Sequence, residues 1–287
     1  MNEFLLAAIL GVVEGITEFL PVSSTAHLRV TQHLLGLSLE SEFWKMFAIV
    51  IQLGAILAVV VHYRAKLIQL SKEKLKLSLA LDFGGMLRHP TGLVAIAFFC
   101  TVIPAFLLKK VIGENLESLR LMAFSLIVGG VVMALVEWLF RNPRTHSLGE
   151  MKPWQAAFVG LVQVLSAVFP GTSRSMSTIA GGQIAGLSRA AALEFSFLVS
   201  IPVMLVATSY DFLKYVKAAQ AAGSALLFTG RELALVTIGF VVSFIVAYAV
   251  IAWFLGYVRK HGFLPFAIYR IAAGLAIFFS LIFQPNL

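Results

Sequence analysis

Gly11-Val-Val-Glu14-Gly-Ile-Thr-Glu18-Phe-Leu-Pro21-Val-Ser23-Ser24-Thr25-Ala-His27 is an apolar stretch that carries two acids and then breaks. Glu14 and Glu18 stand four apart, so on a helix both carboxylates share one face, one turn apart. A charged side chain at membrane depth costs at least ~2.5–3.5 kcal/mol even on insertion scales, so the two acids need water, a cation or a basic partner. Pro21 is expected to end a first half-helix, and Ser23, Ser24 and Thr25 to open a second, whose start offers hydroxyls and unpaired N–H groups to an anion such as phosphate. His27, about one turn after Ser24, can take or give a proton near neutral pH. Each feature also has a plainer reading: a surface helix that solvates both acids, a serine-rich helix cap, and a histidine satisfied within the fold.

The same pattern returns later in the chain. Displacing the numbering by 149 lays Ala7, Ala8, Gly11, Val13, Pro21 and Ser24 on Ala156, Ala157, Gly160, Val162, Pro170 and Ser173, with Ser23 on Thr172. The shared proline followed by hydroxyls favours duplication over chance matching of small residues. In Gly171-Thr172-Ser173-Arg174-Ser175, glycine permits close backbone approach, the hydroxyls repeat the helix-start chemistry, and Arg174 can grip phosphate oxygens with its planar fork. The copies differ in charge, because Glu14 and Glu18 fall on Gln163 and Ala167 while Arg174 falls on Thr25. One half holds acids and the other a cation.

Composition makes the bilayer the solvent. The 287 residues are 60% hydrophobic and 13% charged, with a mean hydropathy of +0.93, well beyond what a water-soluble core requires. Six stretches can each cross a hydrocarbon layer of roughly 30 Å, which takes roughly 20 helical residues: Phe43–Tyr63, Thr91–Ile112, Leu119–Phe140, Ala190–Tyr210, Leu233–Tyr257 and Leu264–Phe283. Phe4–Leu35 and Trp154–Leu187 instead read as two half-helices each, joined at the breaks. The expected fold is an all-α integral membrane protein with six full transmembrane helices plus two broken re-entrant helical hairpins. Because three full spans separate the copies, the hairpins approach from opposite faces, as an inverted-topology repeat with halves 1–140 and 150–287 in a single domain. The start, Met1 to Leu20, has no basic region and carries Glu3, Glu14 and Glu18, so it is not expected to be a cleavable signal. A lone cysteine, Cys100, excludes an internal disulfide and any multi-thiolate metal site.

The net charge of +8 is a membrane signature and does not point to nucleic acid, because the basic residues gather in loops. Arg64, Lys66, Lys72, Lys74, Lys76, Arg88, Arg141, Arg144, Lys152, Arg259 and Lys260 fall on one side, against Lys109, Lys110, Arg120, Lys214, Lys217 and Arg231 opposite. The positive-inside rule places the first group in the cytoplasm and both termini outside. Lys66–Leu81 alternates lysines with leucines, as either an interfacial amphipathic helix or a solvated loop.

The run from Gly11 to His27, with Phe169-Pro-Gly-Thr-Ser173-Arg174-Ser175, resembles the undecaprenyl-diphosphate phosphatases of the bacitracin-resistance family. The resemblance covers the whole chain, including Val50-Ile-Gln52-Leu-Gly54-Ala-Ile-Leu-Ala, Glu194-Phe-Ser-Phe-Leu and Phe266-Ala-Ile-Tyr269-Arg270. One departure is Ala26, where the family's serine-rich motif usually has glycine before the histidine; it adds a methyl group beside the expected site.

The resemblance implies an inner-membrane enzyme that removes the terminal phosphate of undecaprenyl diphosphate. The product, undecaprenyl phosphate, re-enters cell-wall precursor transport, and high activity counters bacitracin. The site is expected to open to the periplasm or cell exterior. Expected catalytic residues are Glu18, Ser24, His27 and Arg174. Ser23, Thr25, Gly171, Thr172, Ser173, Arg174 and Thr178 are expected to bind substrate. Glu14 and Glu18 are the candidate holders of a divalent cation, Mg²⁺ or Ca²⁺. Either Ser24 or an activated water attacks phosphorus, with His27 and Glu18 managing protons. Expected partners are the lipid substrate, membrane lipids and, as a candidate, a second copy of the chain. The rival reading is a secondary transporter or lipid flippase, because broken helices in inverted repeats are a transporter plan. A type-2 phosphatidic acid phosphatase is disfavoured by the absence of its lysine-arginine-proline and Pro-Ser-Gly-His motifs.

Overall fold

A helix satisfies its backbone N–H and C=O groups within its own segment, as a hydrocarbon layer demands. The computed structural model describes residues 2–38, 41–80, 82–115, 118–221 and 228–283, and among these it contains helices and no strand. In chain order they are α1 (Glu3–Thr17), α2 (Ser24–Leu34), α3 (Glu42–His62), α4 (Arg64–Leu79), α5 (Phe83–Arg88), α6 (Pro90–Leu107) and α7 (Lys109–Asn115). Then come α8 (Leu119–Leu139), a 3-10 turn (Leu148–Glu150), α9 (Pro153–Val168), α10 (Arg174–Ile184), α11 (Arg189–Ala221), α12 (Gly230–His261) and α13 (Leu264–Phe283).

Six of these, α3, α6, α8, α11, α12 and α13, are long and apolar enough to cross a bilayer, the same six stretches that the hydropathy picks out. The chain is a multi-pass membrane protein. Phe99, Ile103 and Phe106 on α6 line one stripe of exposed apolar surface, which suits lipid and not water. The helix bounds differ from the hydropathy in an instructive way. α11 continues from Tyr210 through Lys214 and Lys217 to Ala221, because a helix needs no apolar side chains to propagate once it leaves the hydrocarbon. α6 stops at Leu107 just after Pro104, and α7 takes over at Lys109. Lysine-rich Arg64–Leu79 is a helix and not a loop, with Leu70 buried and Ile68 and Leu75 exposed; Leu81 lies outside the described residues.

The two broken segments are present as α1–α2 and α9–α10. Each leading half-helix packs along a span from the other half of the chain, α1 on α12 and α9 on α6. α3 pairs with α11 and α8 with α13, so exchanging the two halves preserves these pairings. This arrangement is compatible with the inverted repeat.

Small residues set these approaches. A Cβ on Gly11 would lie 2.7 Å from the Gly239 carbonyl oxygen, and one on Gly15 would lie 2.7 Å from Val246 Cβ. Because lipid is as apolar as leucine, close backbone packing and not hydrophobic burial holds such a pair. Gly15 sits between Glu14 and Glu18, so the same contact fixes where the two acids point. Gly15→Val should therefore lower the thermal midpoint in detergent, by the equivalent of about 1–3 kcal/mol of overpacking. Gly256→Ala, which meets nothing within 4 Å, should leave the midpoint unchanged; equal midpoints for parent and Gly15→Val would refute the close approach.

Candidate functional site

Both breaks are built the same way. Among the described residues, Ser23 (φ 74°) and Ser173 (φ 72°) are the two non-glycine residues with positive φ, and each is the N-cap of an 11-residue helix, α2 or α10. Their hydroxyls accept from Ala26 N at 3.5 Å and Met176 N at 3.3 Å. A left-handed backbone at serine is strained and persists only where the surroundings impose it. The helix starts correct the sequence alignment by one residue after the prolines: Ser23 matches Ser173, and Ser24 matches Arg174. Between proline and N-cap the second break is one residue longer, Gly171 and Thr172 against Val22 alone, and it uses Gly171, at φ 91°, where an added Cβ would lie 2.5 Å from Met122 O.

The first half-helix also ends earlier than Pro21 suggests. α1 closes at Thr17, and the Glu18 N–H still bonds to Glu14 O at 3.0 Å. Proline disfavours a helical conformation at Leu20, and the chain turns over Glu18–Ser23 before α2 begins. Glu18 keeps helical backbone angles as the C-cap of α1 and stands at the entry to the turn.

There it meets the second break. Arg174 Nη2 donates to Glu18 Oε1 at 3.2 Å, and Ser24 Oγ donates to Glu18 Oε2 at 2.5 Å. Ser175 Oγ donates to the Glu18 carbonyl at 3.1 Å, and the Arg174 guanidinium lies 5.6 Å from the centre of the Phe19 ring. Arg174 Nη1 reaches Ser196 O on α11 at 3.4 Å. Thr178 Oγ1 bonds to Ser196 Oγ at 2.6 Å and back to Arg174 O at 3.0 Å, which ties α10 to α11. Glu14 is wholly buried near this pair, and neither of its carboxylate oxygens has a hydrogen-bond partner; Arg174 Nε is likewise buried without one. Buried polar groups are ordinarily hydrogen-bonded, so these atoms are exceptions to the rule within the fold.

His27 lies on the first turn of α2, as its spacing from Ser24 implies. It makes no hydrogen bond to Ser24, which is taken by Glu18. Its Nδ1 donates to the Ser23 carbonyl at 2.7 Å, which assigns the proton to Nδ1 in the neutral ring. Nε2 is then free to accept from the Tyr269 hydroxyl at 2.6 Å, with the two rings stacked 5.6 Å apart. Thr25 is exposed at the first turn of α2, and Thr172 closes the second break through its N–H to Phe169 O at 3.1 Å. The Ala26 methyl turns away from the Glu18–Arg174 pair into a small cluster with Leu119, Met122 and Leu126, so the extra carbon does not crowd the acids.

Sequence reading gave no role to Arg270, Tyr269, Ser175 or Ser196. Arg270 is fully buried on α13 and donates to Pro21 O at 2.9 Å, to Gly171 O at 3.1 Å and to Ser125 O at 3.1 Å. One guanidinium thus holds a carbonyl from each break, in space left by Gly129. An arginine inside an apolar span was the available signal.

Six spans and two broken helices whose tips share a buried acid–arginine pair define an α-helical membrane protein with a composite polar centre. The chain belongs to the bacitracin resistance protein BacA family, whose model matches residues 7–276. It is 54% identical over 285 residues, 96% of this chain and 98% of its relative, to the undecaprenyl-diphosphatase of Koribacter versatilis (strain Ellin345). It is 39% identical over 278 residues, 96% of each chain, to the undecaprenyl-diphosphatase of Bradyrhizobium sp. (strain ORS 278).

Replacing Arg270 by glutamine should leave carbonyls of both breaks unpaired, at about 1–3 kcal/mol for each buried group. Spin labels at Thr25 and Thr172 in a Cys100→Ser background should then give a broader distance distribution than in the parent. An unchanged distribution and thermal midpoint would remove Arg270 from the junction.

Proposed function

We propose that this protein is an undecaprenyl-diphosphate phosphatase, with the lipid tail in the bilayer and the diphosphate at the junction of the two breaks. The observation that carries the reading is the meeting of Glu18 and Ser24 from one break with Arg174 from the other, at the starts of α2 and α10. Helix starts offer N–H groups and positive dipole ends to phosphate oxygens. Ser173, Thr172 and Gly171 lie in the same turn, and Ser23 and Thr25 flank Ser24. The names of the 54% and 39% identical relatives support the same substrate.

In this mechanism the Arg174 fork turns from Glu18 to the terminal phosphoryl group and stabilises its charge. Glu18 takes the proton of Ser24 as Oγ bonds to phosphorus and the bond to the bridging oxygen breaks, releasing undecaprenyl phosphate. Water then cleaves the phosphoserine, returning Ser24 and releasing inorganic phosphate. His27, held by Ser23 O and Tyr269, supplies and recovers protons at the outer edge of the turn.

The two unpartnered oxygens of buried Glu14 fit a hard divalent cation, Mg²⁺ or Ca²⁺, shared with Glu18. No group of three His, Cys, Asp or Glu side chains occurs among the described residues, so the protein offers a carboxylate pair and leaves the other positions to phosphate and water. When bound, the ion would neutralise charge on the diphosphate.

Purified protein should release phosphate from undecaprenyl diphosphate, and a transporter would not. Glu18→Gln and Arg174→Ala should each lower turnover roughly 10²–10⁴-fold with insertion intact. Arg174→Lys should be impaired chiefly in turnover, because it keeps charge and loses the fork. Ser24→Ala should abolish capture of labelled phosphate on the protein. Chelator should suppress turnover, with recovery on adding Mg²⁺ or Ca²⁺. A fully active Ser24→Ala protein would move the attack to water, and fully active Arg174→Ala would sink the composite site.

The site belongs in the bacterial inner membrane and opens to the periplasm or cell exterior in our proposal, an orientation supported by the clustering of basic residues in one set of loops. In a Cys100→Ser background, an impermeant thiol reagent applied to whole cells or spheroplasts should label Lys217→Cys and spare Lys74→Cys. The opposite pattern would invert the protein.

A further inference from the structure

A second polar feature lies at the far end of α10 from Arg174. Nine residues separate Arg174 from Gln183, or roughly 14 Å of helix. Around Gln183 the end of α8, the α10–α11 turn and the end of α12 border a half-open pocket of about 250 Å³. Its walls carry Arg141, Arg189 and Arg259 from three separate parts of the chain, together with Ser188. A water takes roughly 30 Å³ of liquid volume, so the space admits a phosphate group with part of its hydration shell.

The charges do not cancel. Glu137 is the acid behind this wall, and it is already used: Arg189 Nη2 binds its Oε1 at 2.5 Å and Gln183 Nε2 its Oε2 at 3.0 Å. Among the described residues neither Arg141 nor Arg259 forms an ion pair, although both border the same pocket. Topology alone asks only that basic residues lie on one side of the membrane. It does not ask that three of them converge on one hollow. Guanidinium forks suit the oxygens of phosphate, and basic pockets between spans at the membrane surface take phosphate-bearing headgroups.

We propose that this pocket is a second anion site, for a phosphate group borne by a lipid headgroup or present as free phosphate. It is independent of the phosphatase reading of the Glu18–Arg174 junction, which lies at the other end of α10. The fixed Arg189–Glu137–Gln183 chain forms its back wall, and Arg141 and Arg259 close on the ligand.

The test uses the full chain carrying Arg174→Gln, so that the junction does not contribute its own guanidinium. Equilibrium dialysis reads labelled inorganic phosphate, and native mass spectrometry reads retention of dioleoyl phosphatidic acid against dioleoyl phosphatidylcholine. Retention of either probe, weakened about tenfold or more by adding Arg141→Gln and Arg259→Gln, is the expected result; the retained probe tells lipid headgroup from free phosphate. Should the glutamine pair fail to insert, the lysine pair keeps the topogenic charge and loses the forks, and binding should fall about threefold. No retention of either probe overturns the proposal, as does undiminished retention in the glutamine pair or, where that pair fails to insert, in the lysine pair.

Discussion

The structure depends on the bonds of one guanidinium. Two chain breaks inside a membrane leave carbonyls that no lipid can satisfy, and each unsatisfied group costs several kcal/mol there. Arg270 takes Pro21 O and Gly171 O together and adds Ser125 O from α8. In doing so it fixes the separation of the breaks, and with it the reach of Arg174 to Glu18. The strained serines at 23 and 173 can then cap their helices, because the turns that hold them are clamped from beneath.

The acid–arginine pair joins the same two breaks. A buried ion pair repays its desolvation only when its remaining donors and acceptors are satisfied. Here Arg174 Nε and both oxygens of Glu14 are not. Under the proposed function a diphosphate entering the junction would offer those groups partners, and the resting pair would hold the place of the substrate's own charge. Thr178, Ser175 and Ser196 hold Arg174 and the Glu18 backbone in place.

Much of this was legible in the chain. Hydropathy located six spans, and proline with hydroxyls located both breaks. The split of Glu14 and Glu18 from Arg174 pointed to a junction between copies. What escaped were satisfactions between distant residues. Pro21 marks the break, but the helix ends at Thr17, because the residues before proline leave the helix to make the turn. The one-residue slip between the copies is invisible to an alignment anchored on the prolines, since it shows only in the helix starts and in the positive φ shared by Ser23 and Ser173. Arg270 serves carbonyls 249 and 99 residues away, and backbone oxygens carry no letter in a sequence.

The crossed packing of the half-helices also governs how the protein is made. α1 enters the bilayer first, with Glu14 and Glu18, but its partner α12 begins at Gly230 and the arginine that meets Glu18 at position 174. At ~5–20 residues per second of synthesis, α1 waits roughly 10–40 s for α12. Until Arg174 is made the two acids lack that counter-charge, and until α12 is made α1 has only α2 and α3 to pack against. The first hairpin is thus a natural client for whatever shelters polar segments beside the translocon, and a ribosome stalled before α12 would leave a product recognisable for disposal.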